Sequence, residues 1–276
     1  MLPQETMIAR LRQLCQEDER LIAGMLYGSF SQGEGDAYSD IECLLFFQDE
    51  ALETLDPRAW VGRIAPLALY FTNEFGVQTA IFENLIRGEF HFDPASEMEI
   101  VETWVGQVSF PSLKATLLVD RTGELSRRLQ AVIGPPPRHD SFVQVLGVIH
   151  RYVNWLVFGA TVLARGELAR ALELLGMVQR HLLQMARFVE GCTAHWHIPS
   201  RLLEQDLSPI AYARYTSCTA ALEEGQLWCA YRNAWGWGRE LLRELAATDE
   251  DKIPPFLMEQ LDNWLGSEGT WPPWLR

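Results

Sequence analysis

The chain has 276 residues, 48% of them hydrophobic and 22% charged, a globular composition long enough for about two domains that excludes disordered, collagenous and coiled-coil chains. Lys and Arg number 23 against 37 Asp and Glu, a net charge of −14 that repels phosphate backbones, so nucleic acid is not an expected partner. The same charge attracts a small organic cation, or simply keeps the protein soluble.

Residues 4–18 carry Met7, Ile8, Leu11, Leu14 and Cys15 at three- and four-residue steps, the stripe of a helix lying on a core. Residues 21–27 read as a short apolar strand ended by Gly28-Ser29, and 41–47 as a second, with a glycine-containing loop between. Asp56-Pro57 opens a short helix through Ile64, and 67–71, 77–82 and 85–92 are expected strands. Pro94-Ala95-Ser96-Glu97 marks a further helix start, 115–119 a last strand, and 122–133 a helix with Leu125, Leu129 and Ile133 on one face.

Gly134-Pro135-Pro136-Pro137 is a stiff turn where the pattern changes from mixed to helical. The expected fold class is therefore α+β, with a mixed-sheet domain at 1–133 and a helical bundle at 134–276. Helical stripes run over 142–165, 168–190, 209–222 and 226–247. Most tryptophans lie in this half and read as bundle core, with one or two available to line a pocket. Thr270-Trp271-Pro272-Pro273-Trp274 is apolar for a tail and is expected to pack on its own subunit or a partner.

Residues 1–20 interleave charged and apolar side chains without the apolar core of a signal peptide. The five cysteines are odd in number and include no Cys-x-x-Cys, which disfavours a disulfide framework or zinc ribbon. A reduced, cytoplasmic protein is the expectation. The most apolar stretch, 143–164, is interrupted by His150, Arg151 and Asn154; its remaining run reads as too short to cross a bilayer, so no membrane partner is expected.

The residues that can carry chemistry cluster in Gly28-Ser29-Phe30-Ser31-Gln32-Gly33 and in Tyr38-Ser39-Asp40-Ile41-Glu42. Side chains alternate along a strand, so Asp40 and Glu42 point to one face and can share a divalent cation such as magnesium. Gly28 and Gly33 let the backbone approach a ligand closely, and Ser29 adds a hydroxyl and an amide for phosphate oxygens. A phosphate site beside a metal site is the simplest reading. His195-x-His197 near Cys192 has metal-site residue types but reads as a surface pair in a loop. No Gly-x-Ser-x-Gly elbow, Walker or dinucleotide motif is present.

An apolar strand, Gly-Ser, a second glycine and then Ser-Asp-x-Glu on the next strand resembles the polymerase-beta-type nucleotidyltransferase superfamily. A small mixed-sheet domain followed by a helical bundle resembles its antibiotic nucleotidyltransferases, and Asn84-Leu85-Ile86-Arg87-Gly88-Glu89-Phe90-His91-Phe92 is similar to the lincosamide branch. The resemblance implies that Asp40 and Glu42 hold magnesium on a nucleoside triphosphate, with Gly28, Ser29, Gly33 and Ser39 around the nucleotide and a third acidic residue as general base. Alternation places Arg87, Glu89 and His91 on one face, and Glu89 is the expected base. Glu83 is the alternative third ligand or a strand-end residue, Asp120 reads as a helix cap or turn residue, and Glu89 itself has the alternative of a surface ion pair with Arg87.

The implied reaction is in-line attack of an acceptor hydroxyl on the α-phosphorus, with pyrophosphate leaving. Many superfamily members carry a basic residue where this chain has Gln32, so another cation, Arg87, Arg138 or Arg151, is needed at the triphosphate. The resemblance also implies a homodimer, a helical domain serving acceptor binding and dimerisation, and a cleft between the domains. Lincosamide adenylylation is the leading expectation. Aminoglycoside nucleotidylation and a non-catalytic nucleotide-sensing or interaction protein of the same fold are the alternatives.

Overall fold

The structure, a computed structural model, describes residues 1–139, 141–246 and 254–266. The chain divides into two compact units, Met1–Pro137 and Arg138–Arg276. The tail motif 270–274 lies outside the described residues.

The first unit opens with helix α1 (Pro3–Glu17), whose stripe of Met7, Leu11, Leu14 and Cys15 is buried as the periodicity requires. Strand β1 (Leu21–Tyr27) runs into the one-turn helix α2 (Gly28–Gln32), and β2 (Ile41–Phe47) follows. Short helices α3 (Asp49–Leu52) and α4 (Pro57–Val61) come next, the second capped by the Asp56 carboxylate accepting from the Ala59 amide. Strands β3 (Leu67–Thr72), β4 (Gln78–Phe82) and β5 (Arg87–Pro94) form a meander, followed by a 3₁₀ helix (Ala95–Trp104), α5 (Leu113–Thr116), β6 (Leu117–Asp120) and α6 (Glu124–Leu129).

The expected strand at 115–119 is corrected at its start. Ser112 accepts a hydrogen bond from the Ala115 amide, which closes a helical turn over Leu113–Thr116 and leaves only Leu117–Asp120 extended. The stretch after Gly28, expected as loop, begins with the turn of α2 and ends in Gly33 at φ +77°.

The six strands form one sheet in the order β3-β4-β5-β2-β1-β6. Its neighbours are antiparallel except β2 and β5, which run parallel with Glu42 opposite Glu89 and Leu44 opposite His91. One face buries Cys43, Leu45, Phe47 and Phe90 with Leu11, Leu14 and Trp60; the other buries Met25, Leu44 and Phe46 with Met98, Val101, Leu125 and Leu129. Each such side chain contributes about 1.5–3 kcal/mol on burial, and the two layers make the sheet a rigid platform. Glu42 and Glu89 alternate with the first set, so both stand on the second face.

The second unit contains α7 (Phe142–Ala164), α8 (Leu168–Val189), a 3₁₀ turn (Thr193–His195), α9 (Leu203–Asp206), α10 (Pro209–Ser217), α11 (Glu224–Ala246) and α12 (Pro255–Leu265). Its core holds Tyr152, Leu156, Leu175, Leu182, Tyr231, Trp235 and Trp264, so tryptophans here are packing residues as their patterning suggests. Buried phenols are satisfied by backbone: the Tyr152 hydroxyl donates to Ala234 O at 2.8 Å and Tyr231 to Ala171 O at 2.8 Å.

Two sequence readings are corrected in this unit. Val143–Ala164 is long and apolar enough to cross a membrane by length and composition alone, because helix α7 continues through His150, Arg151 and Asn154. Half of that window is buried inside the unit, with Val145, Val148, Tyr152, Leu156 and Leu163 in its core, as in core helices of soluble proteins. His195 is not one of a surface pair, for its Nδ1 lies 2.7 Å from Asp206 Oδ2. Fully buried Arg187 donates to the same oxygen at 2.7 Å and to the carbonyls of Pro199, Cys192 and Arg201. This network fastens the segment between α8 and α9.

Candidate active site

The site is built where β1 ends and β2 and β5 begin. Gly28 has φ +68°, a conformation that favours glycine. A Cβ there would fall 1.6 Å from Glu42 Oε2, so the missing side chain makes room for the Glu42 carboxylate against the Gly-Ser turn. Ser29 is buried, and its Oγ has no hydrogen-bond partner among the described residues. Such an orphan hydroxyl costs stability in the free protein. It lies in the turn expected to hold phosphate.

Asp40 and Glu89 converge on one cation. Arg87 Nη1 lies 2.7 Å from Asp40 Oδ2, and Arg87 Nη2 donates to Glu89 Oε1. Asn73 Nδ2 donates to the same Glu89 oxygen at 3.0 Å, while its own Oδ1 accepts from the amides of Phe75 and Val77. Glu89 is thereby oriented through Oε1, and its Oε2 has no hydrogen bond among the described residues. The expected alternative for Glu89, an ion pair with Arg87, is thus present, and it also places Asp40 and Glu89 within reach of a common positive charge.

Tyr27 stands next to these carboxylates and shares a hydrogen bond of 3.1 Å with His91 Nε2. Burial, together with the negative charges of Glu42 and Glu89, pushes the phenol's pKa well above its ordinary value. It stays protonated at neutral pH.

The remaining candidates lie elsewhere or are already engaged. The Ser39 hydroxyl donates to Asp36 Oδ1 at 2.9 Å and accepts from the Asp36 amide, so it closes its own turn. Gly33 ends α2 in the left-handed region, and a Cβ there would meet nothing within 4 Å. Gln32 donates to Ser109 O at 2.6 Å. Glu83 is exposed in the turn between β4 and β5, and Asp120 accepts from the Gly123 and Ser126 amides, as a cap residue does. Of the three arginines weighed for the triphosphate, Arg87 lies among the carboxylates; Arg138 and Arg151 belong to the second unit.

Asn73 and the Tyr27–His91 pair were missed by sequence reading. Asn73-Glu74-Phe75-Gly76 is a legible turn, but nothing local shows that its amide reaches a residue of the neighbouring strand pair.

Hard carboxylate oxygens are the donors magnesium prefers. Among the described residues no group of three or more His, Cys, Asp and Glu stands close enough to hold an ion. The set that converges, Asp40 and Glu89 on one cation with Glu42 beside the orphan Ser29 hydroxyl, fits a magnesium ion that arrives on a triphosphate and keeps phosphate oxygens among its ligands. Asp40 and Glu42 are the residues that would hold it.

Residues 143–264 match the family described as lincosamide nucleotidyltransferase-like, C-terminal domain. Over those residues the helical half of this chain is similar to that family. The solved structures similar to the chain include an aminoglycoside 6-adenyltransferase from Bacillus subtilis, at 15% identity over 95% of this chain and 96% of the other, with a TM-score of 0.42. A nucleotidyltransferase-like protein from Exiguobacterium sibiricum is 12% identical over 95% and 89%, with a TM-score of 0.41. These two likenesses are too loose to transfer residues or substrates. No curated protein sequence matches the chain.

Proposed function

We propose that the chain is a nucleotidyltransferase that moves a nucleoside monophosphate, AMP from ATP, onto a hydroxyl of a lincosamide such as lincomycin or clindamycin, releasing pyrophosphate. The observation that carries this reading is the pairing of Glu42 with Glu89 across the parallel strands, beside a Gly28-Ser29 turn whose hydroxyl lacks a partner among the described residues. The similarity of residues 143–264 to the lincosamide nucleotidyltransferase-like C-terminal domain supports the lincosamide as acceptor.

In this reading Gly28 and Ser29 receive the phosphates, the Ser29 hydroxyl donating to a phosphate oxygen. Magnesium, when bound at Asp40 and Glu42, neutralises charge on the triphosphate. Asn73 and Arg87 hold Glu89 by one oxygen while the other takes the proton of the acceptor hydroxyl as that oxygen bonds to the α-phosphorus. Arg87 spans Asp40 and Glu89 and is the cation that would stand nearest the triphosphate while it holds Glu89. The expectations of a homodimer and of a cytoplasmic setting belong to the same proposal; the five unpaired cysteines suit a reducing compartment.

The test is mass spectrometry of clindamycin and, separately, kanamycin after incubation with the protein, magnesium and a mixture of ATP and GTP. A gain of one nucleoside monophosphate on clindamycin alone supports the proposal and identifies the donor. A gain on kanamycin alone replaces it with aminoglycoside transfer. If neither drug gains mass while ATP binds, both acceptors are rejected. Where a drug does gain mass, Glu89→Gln should lower kcat by about 10²–10⁴-fold with little change in nucleotide affinity.

A further inference from the structure

Beside the carboxylates, on the same face of the sheet, the first unit contains an open cavity of about 350 Å³ lined by Tyr27, Leu44, His91, Asp93, Trp104 and Phe110. The proposed nucleotidyl transfer assigns it nothing. Leu44 and His91 lie two residues beyond Glu42 and Glu89 along β2 and β5, and Asp93 two beyond His91, so the cavity continues down the strand that carries the proposed base. Its rim holds Ile100 and Val108, apolar side chains exposed at 45% and 40%.

Its polar groups are few. His91 is tied to Tyr27. Asp93 is half-buried, and its carboxylate takes no hydrogen bond and no ion pair among the described residues. A carboxylate in a largely apolar recess has lost water, and burial pushes the Asp93 pKa up, with nearby His91 opposing the rise and the charge of Glu97 adding to it. A protonated amine offers this carboxylate the ion-pair partner it lacks among the described residues, and the aromatic walls favour one with apolar substituents.

We propose that this cavity binds the acceptor through its amine, a small organic cation with apolar substituents, the ammonium set against Asp93 and the hydrophobic part against Trp104 and Phe110. The proposal rests on nucleotidyl transfer for the role of its neighbours. It places the acceptor, rather than the nucleoside, in the cavity because the cavity is lined by His91 and Asp93, the next residues after Glu89 on the same face of β5, and it is the acceptor hydroxyl that must meet the base.

Isothermal titration of wild type, Asp93→Asn and Val108→Lys with clindamycin and, separately, with ATP and magnesium tests this. Val108 is exposed, so that substitution spares the fold, and melting temperatures verify both variants. Clindamycin affinity should fall about tenfold or more in each variant, while ATP affinity stays within about twofold of wild type. Unchanged clindamycin affinity in Asp93→Asn overturns the proposal, as does a loss confined to ATP, which would make the cavity the nucleoside's. Wild type that fails to bind clindamycin also overturns the amine assignment. Binding that depends on Asp93 without any gain of mass on the drug leaves the cavity assignment standing and rejects the transfer reaction.

Discussion

The Glu42 carboxylate occupies the space a side chain at residue 28 would need, with Oε2 1.6 Å from where a Gly28 Cβ would lie. Gly28→Ala therefore displaces Glu42 and forces alanine into a left-handed conformation that costs about 1–2 kcal/mol. Thermal unfolding should show a modest drop in Tm. Turnover should fall about a hundredfold or more, as for catalytic groups shifted by an ångström.

Ser29→Ala separates stability from function. Its buried hydroxyl has no partner among the described residues, and leaving such a group unsatisfied costs about 1–3 kcal/mol. Tm should hold or rise in the variant, while KM for ATP rises about tenfold through loss of a hydrogen bond to charged phosphate. A destabilised variant with unaltered KM contradicts the assignment.

Asp40→Asn and Arg87→Met should act in opposite directions on a divalent ion. Arg87 competes for the carboxylates that would meet the metal, so its removal should tighten manganese binding measured by electron paramagnetic resonance without nucleotide. Asp40→Asn should weaken it about tenfold or more, with the fold retained. Equal affinity in all three proteins rejects Asp40 as a ligand.

In the helical unit, Arg187→Met leaves Asp206 and three carbonyls without their common donor. Leaving buried acceptors without their donor costs about 1–3 kcal/mol each, readable as a lower urea midpoint. The double variant Arg187→Met/Asp206→Asn should recover only part of it, since Asp206 loses its guanidinium but keeps His195 as a partner in the single variant.

Acid should weaken the first unit through Asp18. Hydrogen bonds from Arg20, and one of 3.1 Å from Trp60 Nε1 to Oδ2, hold this carboxyl below the usual aspartate range against the opposing effect of burial. A depressed native pKa means the stabilisation is fully present above the unfolded value of about 3.9 and is lost as pH falls through the lower native one. Urea midpoints should be level from pH 5 to 7 and decline below about pH 4. Asp18→Asn should lack that part of the decline.

Where local pattern decides, the sequence was sufficient. Leu21–Tyr27 and Ile41–Phe47 are bounded in the structure as their apolar runs predict, and the stripe of α1 lies on the core. The turn of α5 escaped because one Ser112 hydrogen bond outweighs the β-forming run after it. Asp40, Glu42 and Glu89 were legible as types and faces. Their joining by Arg87, and the hold of Asn73 on Glu89, depend on a strand pairing that no local spacing announces.

The one parallel pairing among the six strands has a consequence for folding. β1 and β2 pair across a single connection, and β3, β4 and β5 pair with their immediate sequence neighbours, so each group can form early from short-range contacts. Only the seam of β2 against β5 joins them, and its closure must span residues 48–86. Glu42 lies on one side of that seam and Glu89 on the other. Neither group alone contains the carboxylate pair, so during refolding the recovery of nucleotide binding should follow, rather than accompany, the appearance of β structure.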